Sequence, residues 1–479
     1  MAKEMNQITG LDYAVIVLYL LCMLGVGIHF VKRIKGEEDF YVADRSLGPM
    51  VLLATVCATI IGGSAMMGRA GKAYSEGFIC VMTALPYMIG MFVFSGISGR
   101  IQQLGVRHEI TSIPELMGKR FGTGTKILAS ALVAFAMMGT VAAQVSATAT
   151  ILKLVGGSVG ISFELGAVIA TVIFIIYTAA SGLFGVVYTD VVQFFMLLIF
   201  VYLLIPITGT VRVGGLGNFW ANLDKSFITP VINGSIIGDI LGYLIFTLAG
   251  AEMWQRAFAA RDRKSAQKGM FLGTSVYAVT IVLIFFMGLV GRQILPNVQA
   301  DYGTYEAVIP ALAIELLPAG VTGLALAGIL SVMMSTADSY LLVSVQTCVH
   351  DIGKTISPGM SDKLELLLSR IFTVILAVGA LIVALFAKGV YSIITDTFSY
   401  YAAGMGLPAM AALYWRKATW QGIISSMAGG LGITVLWKVL GTPFGLGATI
   451  PGILISAVML IGVSLMTSKK SPSVFLNCE

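Results

Sequence analysis

Charge is what this sequence has least of. Only 11% of the 479 residues are Asp, Glu, Lys or Arg, too few to clothe a soluble globular surface. Histidine is scarcer still, with His29, His108 and His350 alone, and all three fall at predicted helix ends or cytoplasmic loops rather than at membrane depth. There is no H-E-x-x-H and no G-x-S-x-G, so the pairs of nucleophile and base that an intramembrane hydrolase needs are missing, and no enzyme is expected. The five cysteines include no C-x-x-C pair, and Cys22, Cys57, Cys80 and Cys348 lie inside apolar runs, which excludes a disulfide framework and a thiolate metal site. Long polar inserts are also lacking. The stretches 99–126, 211–234 and 292–318 are the longest outside the apolar runs, each too short for a separate catalytic domain.

What fills the space is apolar. Hydrophobic residues make up 57% of the chain and the mean hydropathy is +0.91. Windows of ~20 apolar residues predict an all-α integral membrane protein of about thirteen helices, at 10–31, 47–74, 77–100, 124–155, 161–180, 185–209, 234–257, 269–292, 319–350, 366–387, 390–414, 420–439 and 448–467. The first run is long enough to span and lacks an A-x-A-like cleavage site, so it reads as a retained helix and not a signal peptide. With the N-terminus outside, twenty-one of the thirty Lys and Arg fall in cytoplasmic segments, among them Arg100, Arg107, Arg256, Arg261 and Arg416. The positive-inside rule then predicts N-out and C-in, and topology rather than nucleic-acid binding accounts for the net charge of +6.

Two predicted helices are interrupted. Ala58-Thr59-Ile60-Ile61-Gly62-Gly63-Ser64 and Thr247-Leu248-Ala249-Gly250-Ala251-Glu252 each put glycine and polar atoms in mid-membrane, where a break is tolerable if the freed backbone groups line a cavity or bind a ligand. Close helix packing through small residues is the plainer reading of the same glycines. Ionisable residues within spans are costly and therefore informative: Asp190, Glu252 and Asp338, with Arg69 nearer an end. In Ser331 to Ser339, the residues Val332, Ser335, Thr336 and Ser339 recur at i, i+3, i+4 and i+7 and share one helix face. Hydroxyls without thiolate or imidazole suit a hard alkali cation such as sodium, with carbonyls from the helix break completing about five or six oxygen ligands.

Short motifs in fixed order carry a family resemblance: Ala43-Asp44-Arg45-Ser46-Leu47-Gly48, Ser112-Ile113-Pro114-Glu115-Leu116, Lys119-Arg120-Phe121-Gly122, Tyr188-Thr189-Asp190-Val191-Val192-Gln193, Gln255-Arg256, Met334-Ser335-Thr336 and His350-Asp351-Ile352. The chain resembles the sodium/solute symporters that carry proline, sialic acid, galactose, pantothenate or choline. The resemblance implies a LeuT-type inverted repeat of five plus five helices (47–209 and 234–414), one extra helix before it (10–31) and two after (420–467), in a multi-pass protein of the cell (inner) membrane. It implies sodium-coupled import of a small polar organic solute, an amino acid, carboxylate or quaternary amine, by alternating access. Membrane lipid surrounds such a protein, and no obligate protein partner is expected. Proton coupling or a non-transporting solute sensor are the alternatives on the same fold.

Carried over residue by residue, the family's main sodium site uses the carbonyls of Ala58, Ile61 and Val332 with the hydroxyls of Ser335 and Thr336. Asp190 matches a family carboxylate that in some members joins a second sodium site, whereas Asp338 stands where such members have serine. Asp190, Asp338 and Ser339 are thus expected as a second cation or proton site. By position, Ile60, Gly62, Gly63, Ser64, Gln144, Gly250, Glu252 and Tyr400 or Tyr401 are the expected substrate contacts. Helix-break amides suit an anionic group and Glu252 a cationic one.

Overall fold

Inside a bilayer a backbone must satisfy its own polar groups, which leaves the helix as the form open to these apolar runs. A computed structural model describes residues 8–30, 43–229, 234–387 and 389–468, and among them the only β-pairing is an isolated bridge between Leu47 and Ala260. The helices are α1 (Gly10–Phe30), α2 (Pro49–Ile60), α3 (Arg69–Glu76), α4 (Ile79–Arg107), α5 (Ile113–Phe121), α6 (Thr123–Gly156), α7 (Phe163–Met196), α8 (Leu204–Arg212), α9 (Gly234–Ala249), α10 (Ala251–Ala259), α11 (Arg263–Ile294), α12 (Val321–Gln346), α13 (Asp362–Phe386), α14 (Val390–Tyr401), α15 (Leu407–Tyr414), α16 (Trp420–Val439) and α17 (Thr449–Thr467). Local chemistry sets several starts: the side chains of Ser112, Ser162, Asp262, Ser361 and Thr419 each accept an amide of the first turn, the usual N-cap arrangement.

Among the described residues nine helices are long and apolar enough to cross a bilayer, or ten if the bent pair Pro49–Ile60 and Ala65–Glu76 is one span; Gly10–Met23 and Phe163–Ile176 are shorter apolar helices. The thirteen expected from apolar windows is not reached on these criteria. One difference lies at 161–209, expected as two helices. There α7 continues through a π-helix, Leu197–Leu203, into α8. Fifty helical residues would measure about 75 Å end to end, more than twice a bilayer core of ~30 Å. Yet Thr178 bonds Asp338 while Asp190 bonds Ser335, three residues away on α12. Both ends of the stretch between Thr178 and Asp190 therefore meet α12. A second difference is α5, a short amphipathic helix in a stretch expected as loop.

Both interrupted helices are present. Between α2 and α3 the chain passes Gly62 and Gly63 and a π-helix, Ser64–Gly68, and the two halves are bent by 57°. Between α9 and α10 the break is one residue, Gly250, with φ −55° and ψ 110°. At the centre stands α12, buried at every residue from Ala325 to Gln346, whereas α13 and α17 expose apolar faces. The extended segment at Leu47 bonds the end of α10, Leu47 N–H donating to Ala259 O at 3.1 Å and Arg261 N–H to Leu47 O at 3.0 Å. The two broken helices are therefore tied together at one end and meet α12 at their middles.

Candidate functional site

The first break is wrapped around α12. Thr336 Oγ1 donates toward the carbonyls of Ala58 and Thr59, 3.3 Å from each, and the amide of Gly63 donates to Gln144 Oε1 at 2.6 Å. A Cβ on Gly62 would stand 2.7 Å from Thr336 Oγ1, and one on Gly63 would stand 2.5 Å from Met333 Sδ. The glycines therefore permit close approach and also free backbone groups that Thr336 and Gln144 satisfy. Of the expected sodium residues, Thr336 and the Ala58 carbonyl are brought together directly. Ile61 caps α2, its amide bonded to Cys57 O at 3.1 Å, and Val332 is buried one turn before Thr336. Ser335 donates to Asp190, so the hydroxyl expected in the main site reaches the carboxylate expected in the second.

The second break is satisfied differently. Its freed carbonyls are taken by Trp254 Nε1, which donates to Leu248 O at 3.0 Å, and by Tyr401 Oη, which donates to Ala249 O at 2.8 Å. Tyr400, offered as the alternative to Tyr401, turns away: its ring packs on Phe135 and under Lys438. Gly250 leaves room for Glu252, whose Oε1 would lie 2.8 Å from a Cβ there. Glu252 is buried; Tyr340 Oη donates to its Oε1 at 3.2 Å, and Oε2 has no hydrogen-bond partner among the described residues. The Ser64 side chain lies outside the described residues.

Arg256 is the main correction to the sequence reading. Expected as a cytoplasmic, topology-setting charge, it is 0% exposed. Its Nε donates to Thr55 Oγ1 at 3.2 Å, Nη1 to Glu252 O at 3.1 Å, and Nη2 to Ser339 Oγ at 2.7 Å and to Thr59 Oγ1, with Asp190 Oδ2 4.0 Å away. Asp190 in turn accepts from Thr55 at 2.6 Å and from Ser335. A guanidinium thus sits among the groups expected to form the second cation site, with Asp190 and Ser339 as its partners. Asp338 stands apart, accepting from Thr178 and leaving Oδ2 without a partner among the described residues. The signal for Arg256 was present: it lies six residues beyond Gly250, about 9 Å along a helix, which from mid-membrane is short of the surface of a ~30 Å core.

A cavity of about 20 Å³ lies beside the first break, between Ile60, Gly62, Thr140, Tyr340 and Phe398, and Arg69 is the one charged residue in its wall. That is room for roughly one water. Arg69 is 4% exposed, donates to Tyr277 Oη, and lies 5.4 and 5.2 Å from the ring centroids of Tyr87 and Tyr243. On the far side of the same broken helix a vestibule of about 560 Å³ opens between Lys72, Lys153, Glu306 and Tyr391.

Two broken helices crossing at a central helix, with a small cavity at the first break, define a secondary transporter core of the LeuT type. The chain belongs to the sodium:solute symporter family, whose model matches residues 40–430. It is 25% identical to the osmoregulated proline transporter OpuE of Bacillus subtilis over 94% of each chain, and 28% identical to the sodium/pantothenate symporter of Escherichia coli over 95% of this chain and 96% of that one. In fold it is similar to a Na⁺-coupled sialic acid symporter in a substrate-bound outward-open state, with a TM-score of 0.79 at 19% identity over 97% of this chain and 99% of the other. A nucleobase-cation-symport transporter in a closed conformation is a more distant match, at a TM-score of 0.60 and 14% identity over 90% and 95% of the chains.

Proposed function

We propose that this protein imports a small polar organic solute by alternating access, using sodium bound between the first helix break and α12. The observation that carries this reading is the Thr336 hydroxyl held 3.3 Å from the Ala58 carbonyl. It is a hard-oxygen pair drawn from a backbone freed at mid-membrane and from the helix that the break crosses. The proposed ligands are the carbonyls of Ala58, Ile61 and Val332 and the hydroxyls of Ser335 and Thr336. Solute occupies the cavity at the break, against Ile60, Gly62 and Gly63, with Gln144 holding the Gly63 amide in place and Glu252 and Tyr401 acting at the second break. Thirteen spans, two inverted repeats at 47–209 and 234–414, an external N-terminus and a cytoplasmic C-terminus in the cell (inner) membrane complete the reading.

Asp338 supports a second reading, proton coupling. It is a fully buried carboxyl with one oxygen bonded by Thr178 and the other bare among the described residues, and a protonated carboxyl needs no counter-charge. The test is the melting midpoint of the purified protein in sodium against potassium, since a ligand that binds the folded state alone raises it by mass action. Sodium is expected to raise the midpoint, and Thr336→Ala and Ser335→Ala to weaken the response while the protein stays folded. An unchanged sodium response in both variants removes the site assignment; no sodium response in the wild type, with a midpoint that follows pH through Asp338, favours the proton.

A further inference from the structure

Arg69 is a buried cation that no described carboxylate answers. Its described partners are one hydroxyl, that of Tyr277, and the faces of two rings, Tyr87 and Tyr243. Among the described residues no carboxylate lies within ion-pair distance of it. A guanidinium carries five N–H donors, and a charge taken out of water without a counter-charge costs several kcal/mol. Arg69 is also the one charged residue in the wall of the cavity at the first break, and again in the wall of an apolar cavity of about 460 Å³ on its other side. It opens α3, directly beyond the π-helix that follows Gly62 and Gly63. A costly cation is therefore fixed by three tyrosines in a residue that lines the space where solute is to bind.

We infer that the transported solute is a small carboxylic acid and that Arg69 binds its carboxylate, the planar fork of donors matching two oxygens. This deepens the symporter reading above and rests on it. The body of the acid lies along Thr59 and Thr140 toward Thr336, beside the proposed sodium ion, and Phe398 and Tyr340 move to admit it, because the cavity as it stands holds about one water. Charge then closes in the bound state: the carboxylate answers Arg69, and neither Glu252 nor Asp190, which have partners of their own in Tyr340 and Arg256, is required to do so.

The test is thermal stabilisation of the purified full chain by a panel of small straight-chain, hydroxy and amino-substituted carboxylates, each beside its primary amide, in sodium and in potassium. Acids are expected to raise the midpoint in sodium and their amides to have no effect. Arg69→Lys, which keeps charge but loses the fork, should weaken acid binding by about ten- to a hundredfold, and Arg69→Gln should abolish it. Sodium alone should still stabilise both variants, because Arg69 is not among the ion's ligands. Tyr277→Phe separates binding from packing: it removes the described hydrogen bond and should leave the preference for acid over amide intact. The inference is overturned if amides or cationic solutes stabilise as well as acids, if Arg69→Gln binds acids with unchanged affinity, or if no acid stabilises while sodium still does. Absence of any sodium effect in the wild type would instead overturn the symporter reading beneath it.

Discussion

Arg256 and Arg69 are both sealed within the membrane part of the molecule, 0% and 4% exposed, and both lie a few residues past a helix break. Their surroundings differ in kind. Arg256 is bonded by Thr55, Thr59, Ser339 and the Glu252 carbonyl and faces Asp190, joining α2, α7, α10 and α12. Arg69 has tyrosines. Equal burial with unequal satisfaction separates a charge that holds helices together from one that waits for a ligand, because only the satisfied charge has had its desolvation offset within the protein.

The comparison breaks first at Arg256. Arg256→Met leaves Asp190 buried without its cation and strips three hydroxyls, those of Thr55, Thr59 and Ser339, of a donor, which should cost about 3–5 kcal/mol, the range for removing one partner of a buried pair. The purified variant should show a midpoint far below the wild type or fail to yield folded protein; a midpoint within a few degrees would mean that Arg256 is no tie. Asp190→Asn should cost less, about 1–3 kcal/mol, through one lost charged hydrogen bond. Combined with Arg256→Met it should fall short of the sum, since both substitutions remove the same contact. Additive midpoints in the double variant would show that the 4.0 Å approach carries no coupling.

The legible part of this site was its backbone logic. Glycines in apolar runs marked both breaks, the pair Gly62-Gly63 at the first and Gly250 at the second, and the hydroxyl spacing from Val332 to Ser339 marked the face of α12 that meets the first of them. Those signals are local, a few residues within one helix. What stayed hidden depends on partners from distant elements. Ser335 meets Asp190, Tyr340 meets Glu252 and Tyr401 caps Ala249, and no spacing along one helix specifies such pairs. Arg256 was misplaced because a basic residue near a helix end looks like a topological charge until its depth is counted from the break. Arg69 reads from the sequence only as an ionisable residue near an end, because its meaning lies in the absence of a carboxylate beside it among the described residues.

Arg69→Met sharpens the same comparison from the other side. Removing an unanswered cation relieves desolvation and sacrifices one bond to Tyr277, so the midpoint in the absence of solute should stay within about 1 kcal/mol of the wild type or rise. A loss as large as that expected for Arg256→Met would show that the tyrosines satisfy Arg69 as fully as the hydroxyls satisfy Arg256, and would make it a structural tie.

Glu306 offers an intermediate case outside the membrane: a half-buried charge whose hydrogen-bond partners among the described residues are two backbone amides. Its carboxylate accepts from the amides of Val390 at 3.1 Å and Tyr391 at 2.9 Å, at the start of α14, where the helix dipole favours an anion. Burial pushes the carboxyl above the ordinary glutamate value against the pull of those two amides. A folded-state value raised above the unfolded one means that the folded protein holds this proton more tightly. The group's contribution to stability is then full below the unfolded value, about pH 4.3, and is lost as pH rises through the raised value. Glu306→Gln cannot titrate, so the wild type's advantage over it should be greatest near pH 4 and shrink toward neutrality, an effect smaller than any of the others. Midpoints that run parallel across that window would mean that the amides cancel the burial, and that dipoles alone can satisfy a buried charge as well as Asp190 and its hydroxyl neighbours satisfy Arg256.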